Sequence, residues 1–349
     1  MKWHIPLTGW LIFGLSFNSA TNAFAETAAD PKIQYGTITF QLENDLFYGA
    51  DRHYTNGLRL SWVSPPPKDM PRELNWLRER LKLIGLNNND DTRLGLALAQ
   101  EMYTPADRRR TDLILDDRPY AGWLYGAVSL HSKTDIRSNG FEEMLDSVEF
   151  DLGVVGRHSY AKETQDYIHD IRLFERFDGW HNQLKDEPGI LLMYERKFRT
   201  GPHDAFPTNL QMDVVPHIGG SIGNVLTHLN LGGAARYGYN IPHNFGPPNL
   251  IKGMRTLDDG PLEDGWSLYA FAGAEGRYVA HNIFLDGNTW QDSHSVDREP
   301  WVADLSFGLA FEYRRFKIAY TEVLRTREFD GQDDNARFGS VSLSWRLLY

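Results

Sequence analysis

The chain contains no cysteine at any of its 349 positions. This absence excludes a disulfide scaffold, thiolate metal sites and a cysteine nucleophile. The formal net charge is -11, so the chain as a whole is not predicted to bind nucleic acid, and an anionic partner must be held by a local basic cluster or through a bound cation. Past residue 26, no stretch approaches the roughly 18 consecutive apolar residues of a membrane-spanning helix.

The N-terminal residues have the pattern of an export signal. A short polar start is followed by the apolar stretch Ile5–Phe17 and by the cleavage motif Ala23-Phe24-Ala25. The apolar stretch is too short for an anchor helix that spans a bilayer. We therefore predict a cleavable signal peptide over residues 1–25 and a single exported domain over residues 26–349.

Aromatic residues make up 13% of the chain although its mean hydropathy is -0.47. That combination suits a protein with apolar aromatic bands outside and a polar interior. The last ten residues alternate apolar and polar side chains from Ser340 to Tyr349, which places the two sets on opposite faces of a strand. A terminal strand that ends on an aromatic residue is typical of outer-membrane barrels, and an edge strand of a soluble sandwich is the alternative.

The same alternation recurs along the chain. It is regular over 37–42, 58–62, 93–98, 148–154, 305–313 and 340–349, and less regular near 121–131, 188–199, 209–222, 227–237, 265–279 and 316–328. Charged residues in the regular segments fall opposite the apolar set, as a polar lumen requires. The pattern predicts an all-β fold, a transmembrane antiparallel β-barrel of about 12 strands.

An even number of strands places both ends of the barrel on the periplasmic side. The outer connections are then 45–54, 101–120, 156–187, 223–226, 280–301 and 328–337. The inner connections 65–91 and 238–264 are long for periplasmic turns, and Arg72–Leu83 has the pattern of a short amphipathic helix.

The outer connection 156–187 contains a predicted helix from Ala161 to about Phe177, a stretch without proline or glycine. Gln165 and His169 are four residues apart and share one helix face. His169 is either a solvated histidine or a general base, because imidazole titrates near neutral pH. Gln165 would orient a water molecule. Glu175 is not on the same face of a straight helix and reaches such a site only from a turn.

Oxygen-bearing side chains cluster at the first predicted hairpin, in Glu43-Asn44-Asp45 and Asp51–Gly57. Asn, Asp and Gly at such places commonly form turns. The carboxylate of Asp45 and the amide of Asn44 are also ligands that suit a hard cation such as Ca²⁺. Spacing alone does not separate these two interpretations.

Two further motifs have a structural and a functional interpretation. Gly219-Gly220-Ser221-Ile222-Gly223 matches the G-x-S-x-G pattern of serine hydrolases, but strand-like sequence on both sides indicates small residues in a barrel wall. Arg108-Arg109-Arg110 is either a solvated loop or a site that docks phosphates of an anionic leaflet.

Taken together, these motifs resemble the lipid A 3'-O-deacylases of Gram-negative outer membranes. The resemblance is specific over residues 43–180, and the second half of the chain matches only as a generic barrel. It is carried by Asn44-Asp45, Asp51-Arg52-His53-Tyr54-Thr55-Asn56-Gly57, Asp117-Arg118, and Gln165, His169, Glu175 and Trp180.

The resemblance implies a twelve-stranded barrel whose extracellular site removes the 3'-linked acyloxyacyl chain of lipid A with Ca²⁺. His169 would be the base that activates water, with Gln165, Asn44, Thr55 and Glu175 lining the site. The metal ligands would be Asp45, Asn44 and Glu175. The basic residues Arg108, Arg109, Arg110 and Arg118 would recognise substrate phosphates.

The resemblance also implies an outer-membrane location in a Gram-negative bacterium. The partners would be lipopolysaccharide, outer-membrane lipids and the barrel-assembly machinery, with no nucleic acid and a monomeric state. Two other functions remain open at this point: a non-enzymatic barrel that is a channel or structural protein, and a phospholipase with a serine nucleophile.

Overall fold

The computed structural model describes residues 35–44, 53–66, 91–173, 175–205, 210–246, 262 and 265–348, without the side chains of residues 53–55. Twelve long strands lie within these residues. They are β1 Tyr35–Asn44, β2 His53–Val63, β3 Thr92–Thr104, β4 Ala121–Ser138, β5 Phe141–Val155, β6 Glu187–Arg199, β7 Leu210–Gly223, β8 Leu226–Tyr239, β9 Trp266–Asn282, β10 Trp301–Tyr313, β11 Phe316–Arg325 and β12 Ala336–Leu348.

The strands form one closed antiparallel sheet. Each strand pairs with its neighbours in the sequence, and β1 pairs with β12 from Tyr35 opposite Leu348 to Asn44 opposite Gly339. β6 pairs with β7, and the three-residue strand His203–Ala205 continues β6 along the same partner. The predicted β-barrel and its strand number are confirmed.

The two faces of the wall have opposite chemistry. Strand alternation turns large apolar side chains outward, where they stay exposed, because the residues between them turn into the lumen. The exposed set includes Ile38, Phe40, Leu60, Leu96, Leu98, Val128, Phe150, Leu152, Ile190, Leu192, Val214, Ile218, Leu229, Leu231, Leu268, Leu305, Phe307, Leu309, Phe311 and Leu343. The outer face therefore suits lipid.

The lumen is crossed by ion pairs between strands. Their members are almost fully buried, so each charge depends on its partner for the solvation that water no longer supplies. The pairs are Arg59 with Glu149, Arg236 with Asp213, Arg199 with Glu143, Arg277 and Arg325 with Asp304, and Arg346 and Lys317 with Glu312.

The barrel has two rims. The terminal rim holds Tyr35 and Leu348, the outer ends of the described chain, and the short turn between β10 and β11. The loop rim holds the connections that follow the odd-numbered strands. Three of these connections contact each other directly: Asp178 N–H donates to the Arg108 carbonyl at 3.0 Å, and the Lys185 N–H donates to Asn288 at 2.8 Å.

Aromatic pairs mark the outer face near both rims. Tyr239 and Trp266 stack at 4.6 Å near the terminal rim, and Tyr278 lies 5.0 Å from Trp301 near the loop rim. Such girdles are typical where a barrel crosses the two membrane interfaces. The separation of these pairs along β9 indicates which length of the wall lies in the hydrocarbon layer.

Two α-helices lie in loop-rim connections, α1 Ala161–Arg172 and α2 Ile283–Asp286. Among the residues that the structure describes, no helix combines the length and apolar character needed to cross a membrane. The prediction that the first helix continues to about Phe177 was wrong, because Leu173 adopts a left-handed backbone, φ 59°, and ends it.

Several predictions lie outside the described residues. They are the signal peptide over 1–25, the amphipathic helix Arg72–Leu83, and most of the connections 65–91 and 238–264. Asp45, Asp51 and Arg52 also lie outside them.

Candidate functional site

Helix α1 lies against the outside of the barrel wall, over β3 and β4 near the loop rim. The Gln100 side chain is on the outward face of β3, and its Nε2 donates to the Ser159 carbonyl at 2.6 Å. On β4, Gly122 is so close to the helix that an added Cβ would lie 2.3 Å from the Ala161 side chain. Only glycine at this position allows the helix to rest on the wall.

The face of α1 that meets the wall carries the two predicted polar residues. Ala161, Gln165 and His169 are buried and recur every four residues, so they form one stripe along the helix. Gln165 is 2% exposed and His169 is 1% exposed. The prediction that they share a helix face is confirmed, and the interpretation of His169 as a solvated histidine was wrong.

The protonation of His169 follows from its partner. Its Nδ1 donates to the carbonyl oxygen of Glu175 at 2.6 Å, and a carbonyl can only accept. The proton of the neutral ring is therefore on Nδ1, and Nε2 is the nitrogen able to accept a proton. Phe177 contacts the ring edge to face at 5.7 Å between centroids and restricts its rotation.

The amide of Gln165 is oriented by Trp180. The indole Nε1 donates to Gln165 Oε1 at 2.6 Å, and because indole is only a donor, the amide NH₂ must point the other way. Gln165 Nε2 is buried and has no hydrogen-bond partner among the residues that the structure describes. The side-chain NH₂ of Gln165, one helical turn from His169, is therefore a donor that is able to bind a ligand oxygen.

An aromatic cluster fixes these residues to the wall. It consists of Met102, Tyr120, Ala161, Phe177 and Trp180, all buried. The ring of Tyr120 lies 5.1 Å from Trp180, and burial raises the pKa of the Tyr120 phenol above its ordinary value. The tyrosine therefore stays neutral beside the indole.

Asn44 lies on the same outward face of the wall. In the sheet register, Asn44 is opposite Asn56, Asn56 is opposite Met102, and Met102 is opposite Gly122. Directly opposite residues of an antiparallel sheet share a face, and neighbouring strands are about 4.8 Å apart. The two asparagines therefore continue the row that passes beneath α1.

Asn56 is a site candidate that the sequence analysis missed as an individual residue. It is 2% exposed, and its Oδ1 atom is buried without a hydrogen-bond partner in the described part of the chain. A buried amide oxygen beside Asn44 is the type of donor that a hard cation such as Ca²⁺ accepts, so these residues fit the predicted metal. Its place in an Asn-Gly turn-like motif concealed this role.

Thr55 occupies an irregularity in the same strand. The register between β2 and β3 shifts between Tyr54 and Asn56, so Thr55 is the additional residue of a β-bulge. Bulges change the direction of the side chains next to them and are frequent near functional sites.

The side chain of Glu175 points away from His169. Arg109 donates to its carboxylate through Nε at 3.0 Å, and Arg108 lies 3.5 Å away. The hydrogen bonds from Arg109 hold the pKa of the Glu175 carboxyl below its ordinary value. In this arrangement the backbone carbonyl of Glu175, and not its carboxylate, contacts the candidate site.

The predicted phosphate-binding arginines occupy two different environments. Arg109 and Arg110 are exposed on the 105–120 connection, where Arg110 pairs with Asp112. Arg118 is fully buried, stacks over Tyr103 at 5.2 Å and pairs with Glu328 at 3.4 Å. The structure thus places Arg118 over the lumen, because its guanidinium is enclosed by aromatic rings and a carboxylate, and leaves it inaccessible to a phosphate from the membrane.

The G-x-S-x-G motif lies in strand β7, which continues to Gly223. The interpretation as barrel wall is confirmed, since a strand–turn–helix elbow is absent there. Ser221 faces the lumen and contacts His228 Nδ1 at 2.6 Å. The pair is separated from the lipid-facing wall by the sheet.

The lumen also contains a group with metal-ligand character, Glu195, His217 and Glu275, whose ligand atoms lie within 4.8 Å of one another. His217 Nε2 is 2.8 Å from Glu275, and Lys197 pairs with Glu195 at 3.1 Å. These contacts make the group part of the ion-pair network of the lumen.

A closed barrel with an apolar outside and a charged lumen defines the class of this chain as an outer-membrane β-barrel protein. The model of the outer membrane protein LpxR family matches residues 10–347. The chain therefore belongs to the outer membrane protein LpxR family. This confirms the resemblance to the lipid A 3'-O-deacylases.

One solved structure supports the same fold. The structure of LpxR from Salmonella typhimurium is similar with a TM-score of 0.68 and 18% identity, covering 88% of this chain and 99% of that chain. A KdgM porin matches at a TM-score of 0.36 and 8% identity, covering 88% of this chain and 98% of that chain, which supports no argument about function. No curated protein sequence matches the chain.

Proposed function

We propose that this protein is an ester hydrolase that removes the 3'-linked acyloxyacyl chain of lipid A at the extracellular side of the outer membrane. The observation that carries the proposal is the position of His169, buried between α1 and the outward face of the wall, with its Nδ1 proton held by a carbonyl. Membership of the LpxR family supports the choice of substrate.

The chemistry follows from the side chains present. Water attacks the ester carbonyl carbon while Nε2 of His169 takes its proton, and the bond to the sugar oxygen then breaks as that oxygen regains a proton. The products are a free acyloxyacyl acid and the 3'-hydroxyl. The amide NH₂ of Gln165 is placed to bind the water or the carbonyl oxygen.

Ca²⁺ is part of the proposal. Asn44 and Asn56 supply amide oxygens on the outward face, and Asp45 follows Asn44 in the chain. A bound Ca²⁺ would supply positive charge where the ester oxygen becomes negative. Ca²⁺ binding by these residues is measurable without turnover, as a rise in unfolding temperature that Asn56→Leu reduces.

The position of the site suits a membrane-embedded ester. The exposed Leu96 and Leu98 lie on the same strand face as Gln100 and Met102, below α1. An acyl chain lying along this face would reach the site without leaving the hydrocarbon layer. Binding of outer-membrane lipids, insertion by the barrel-assembly machinery and a monomeric state stay predictions.

The deciding experiment is mass spectrometry of lipid A before and after incubation with the purified protein. We expect the loss of one acyloxyacyl group with Ca²⁺ and no change with a chelator. Unaltered lipid A under both conditions, together with ion conductance in planar bilayers, would instead indicate a channel. Hydrolysis that is lost in Ser221→Ala and kept in chelator would indicate a serine esterase.

A further inference from the structure

Helix α1 carries an apolar stripe that the described residues of the protein leave uncovered. Tyr160, Tyr167 and Ile171 are 56%, 67% and 65% exposed. At about 100° per residue, Tyr167 and Ile171 lie about 40° apart around the helix axis, and Tyr160 is the residue that precedes the helix. We name these three residues the outer stripe. Three large apolar side chains exposed on one helix and the residue before it are unusual for a surface in contact with water.

The remaining sides of α1 are sorted by chemistry. Ala161, Gln165 and His169 face the wall, and Lys162, Asp166 and Asp170 are charged and lie on a third side, centred roughly 120° around the helix from Tyr167 and Ile171. The Lys162 ammonium and the Asp166 carboxylate form an ion pair within that charged side. A helix that rests on a barrel wall with one free side apolar and the other charged has the pattern of a helix at a membrane interface.

The outer stripe continues an apolar surface of the barrel. Immediately below α1, the wall exposes Leu60, Leu96 and Leu98. Leu98 is two residues from Gln100, which bonds the chain that leads into α1, and two residues of a strand span about 7 Å. The helix therefore stands at the upper edge of the lipid-facing band.

The two residues that flank α1 are bulky and apolar, and both adopt a backbone conformation that favours glycine. Tyr160 has φ 57° and Leu173 has φ 59°, and both lie in the left-handed region that side chains disfavour. Leu173 is 92% exposed, so its side chain gains no burial within the described part of the protein. Burial in lipid is the compensation that an unfavourable backbone and an exposed leucine otherwise lack.

We infer that α1 lies in the outer leaflet, with the outer stripe and Leu173 among the acyl chains and the charged side toward the head groups. The occupant of this surface is the hydrocarbon of membrane lipid. The inference deepens the proposed function and rests on it for one point only: immersion holds His169 at the depth of the ester that it attacks.

The absence of cysteine makes the test direct. The single variants Tyr167→Cys and Ile171→Cys are prepared in the full chain, and each cysteine is given a nitroxide label. Each labelled protein is then inserted into vesicles of phosphatidylcholine with a minority of phosphatidylglycerol. Lys162→Cys is the matched control on the opposite side of the same helix, and Leu98→Cys is the reference for lipid contact. Collisions with oxygen and with a water-soluble nickel chelate report the depth of each label.

We expect labels at 167 and 171 to resemble the label at 98, with nickel accessibility several-fold below that at 162. Equal nickel accessibility at 171 and 162, while 98 reads as immersed, overturns the inference. Spin–spin broadening between labels on two copies of the chain, at 171 but not at 98, also overturns the inference. It would show that a second copy of the chain, and not lipid, covers the outer stripe.

A second measurement separates this inference from the proposed function. The double variant Tyr167→Glu/Ile171→Glu is expected to lose at least tenfold in lipid A hydrolysis in vesicles while keeping its rate in detergent micelles. Lys162→Glu is the control and is expected to keep both rates. Absence of hydrolysis by the unaltered protein contradicts the proposed function and leaves the depth measurement valid; equal loss in both media contradicts the inference.

Discussion

The lumen and the outer wall beneath α1 both bury polar groups, but of different kinds. In the lumen the buried groups are charges of opposite sign, such as Arg236 with Asp213. Beneath α1 they are an imidazole and uncharged amides, His169, Gln165 and Asn56. A single β-sheet separates the two regions, so the difference between charged and uncharged buried groups arises across one layer.

The difference follows from what each side borders. A lumen charge has a partner of opposite sign on another strand, which offsets its loss of hydration. On the lipid side no such partner strand exists, and an isolated buried charge would be costly. Among the described residues, the uncharged amides of Gln165 and Asn56 each keep one unfilled hydrogen-bonding atom there, which is less costly than an isolated charge.

The largest expected effect concerns the outer wall. His169→Gln removes the proton acceptor, and we expect hydrolysis of lipid A to fall by about 10²–10⁴-fold, the usual contribution of a general base. The unfolding temperature should change little. His158→Gln is the matched control, an exposed histidine of the same connection that pairs with Asp186. Equal loss in both variants would show that the connection, and not the imidazole, is required.

The next effect concerns the lumen. Asp213→Asn leaves Arg236 without its carboxylate, and Arg199 lies 3.9 Å from the same group. We expect the free energy of unfolding in urea to fall by about 3–5 kcal/mol, with hydrolysis retained in the folded protein. Asp112→Asn, which breaks an exposed pair, should leave stability unchanged within error. A loss of hydrolysis at full stability in Asp213→Asn would erase the contrast between the two regions.

A smaller effect is expected at the residue that orients Gln165. Trp180→Phe keeps an aromatic ring in the cluster and removes only the indole donor. The loss of one hydrogen bond predicts about a five- to tenfold decrease in kcat with little change in KM or in unfolding temperature. Trp290→Phe, in an exposed tryptophan, is the control. A parallel fall in stability would mean that Trp180 acts only by packing.

The smallest effect is at the exposed pair of Glu175 and Arg109. The pKa of Glu175 is lowered in the folded protein. The ion pair therefore stabilises the loop that contains Glu175 when the pH is above the ordinary glutamate pKa, and this stabilisation is lost as the pH falls through the folded-state pKa. Hydrogen exchange of peptides over 175–182, corrected for intrinsic rates, should therefore rise in acid. Glu175→Gln should remove that dependence, whereas Glu163→Gln should keep it.

The barrel was predictable because each strand repeats one rule. Period-two alternation depends only on neighbouring residues, so segments such as 305–313 showed it without knowledge of their partners. Gln165 and His169 were predictable for the same reason, since four-residue spacing fixes a helix face. Their burial was not, because it depends on Gly122, a residue of another strand that admits the helix.

The rest of the site depends on contacts that a side-chain pattern does not encode. The contact of Glu175 with His169 is made by its backbone carbonyl, which every residue has. Asn56 acquires its position from the strand register and the bulge at Thr55. Arg118 lies in a segment with the sequence of a loop. Its burial results from contacts with Phe329 and Glu328, and Glu328 is 210 residues later in the chain.

The charge-filled interior has a consequence for the cell. Ion pairs cross-link the described part of the lumen at several levels, among them Arg346 with Glu312 and Arg325 with Asp304, and they narrow any aqueous passage through it. In the proposed function, substrate is processed on the outside of the cylinder, and hydrolysis needs no such passage. In the proposed function, an inhibitor would meet its target without first crossing the membrane.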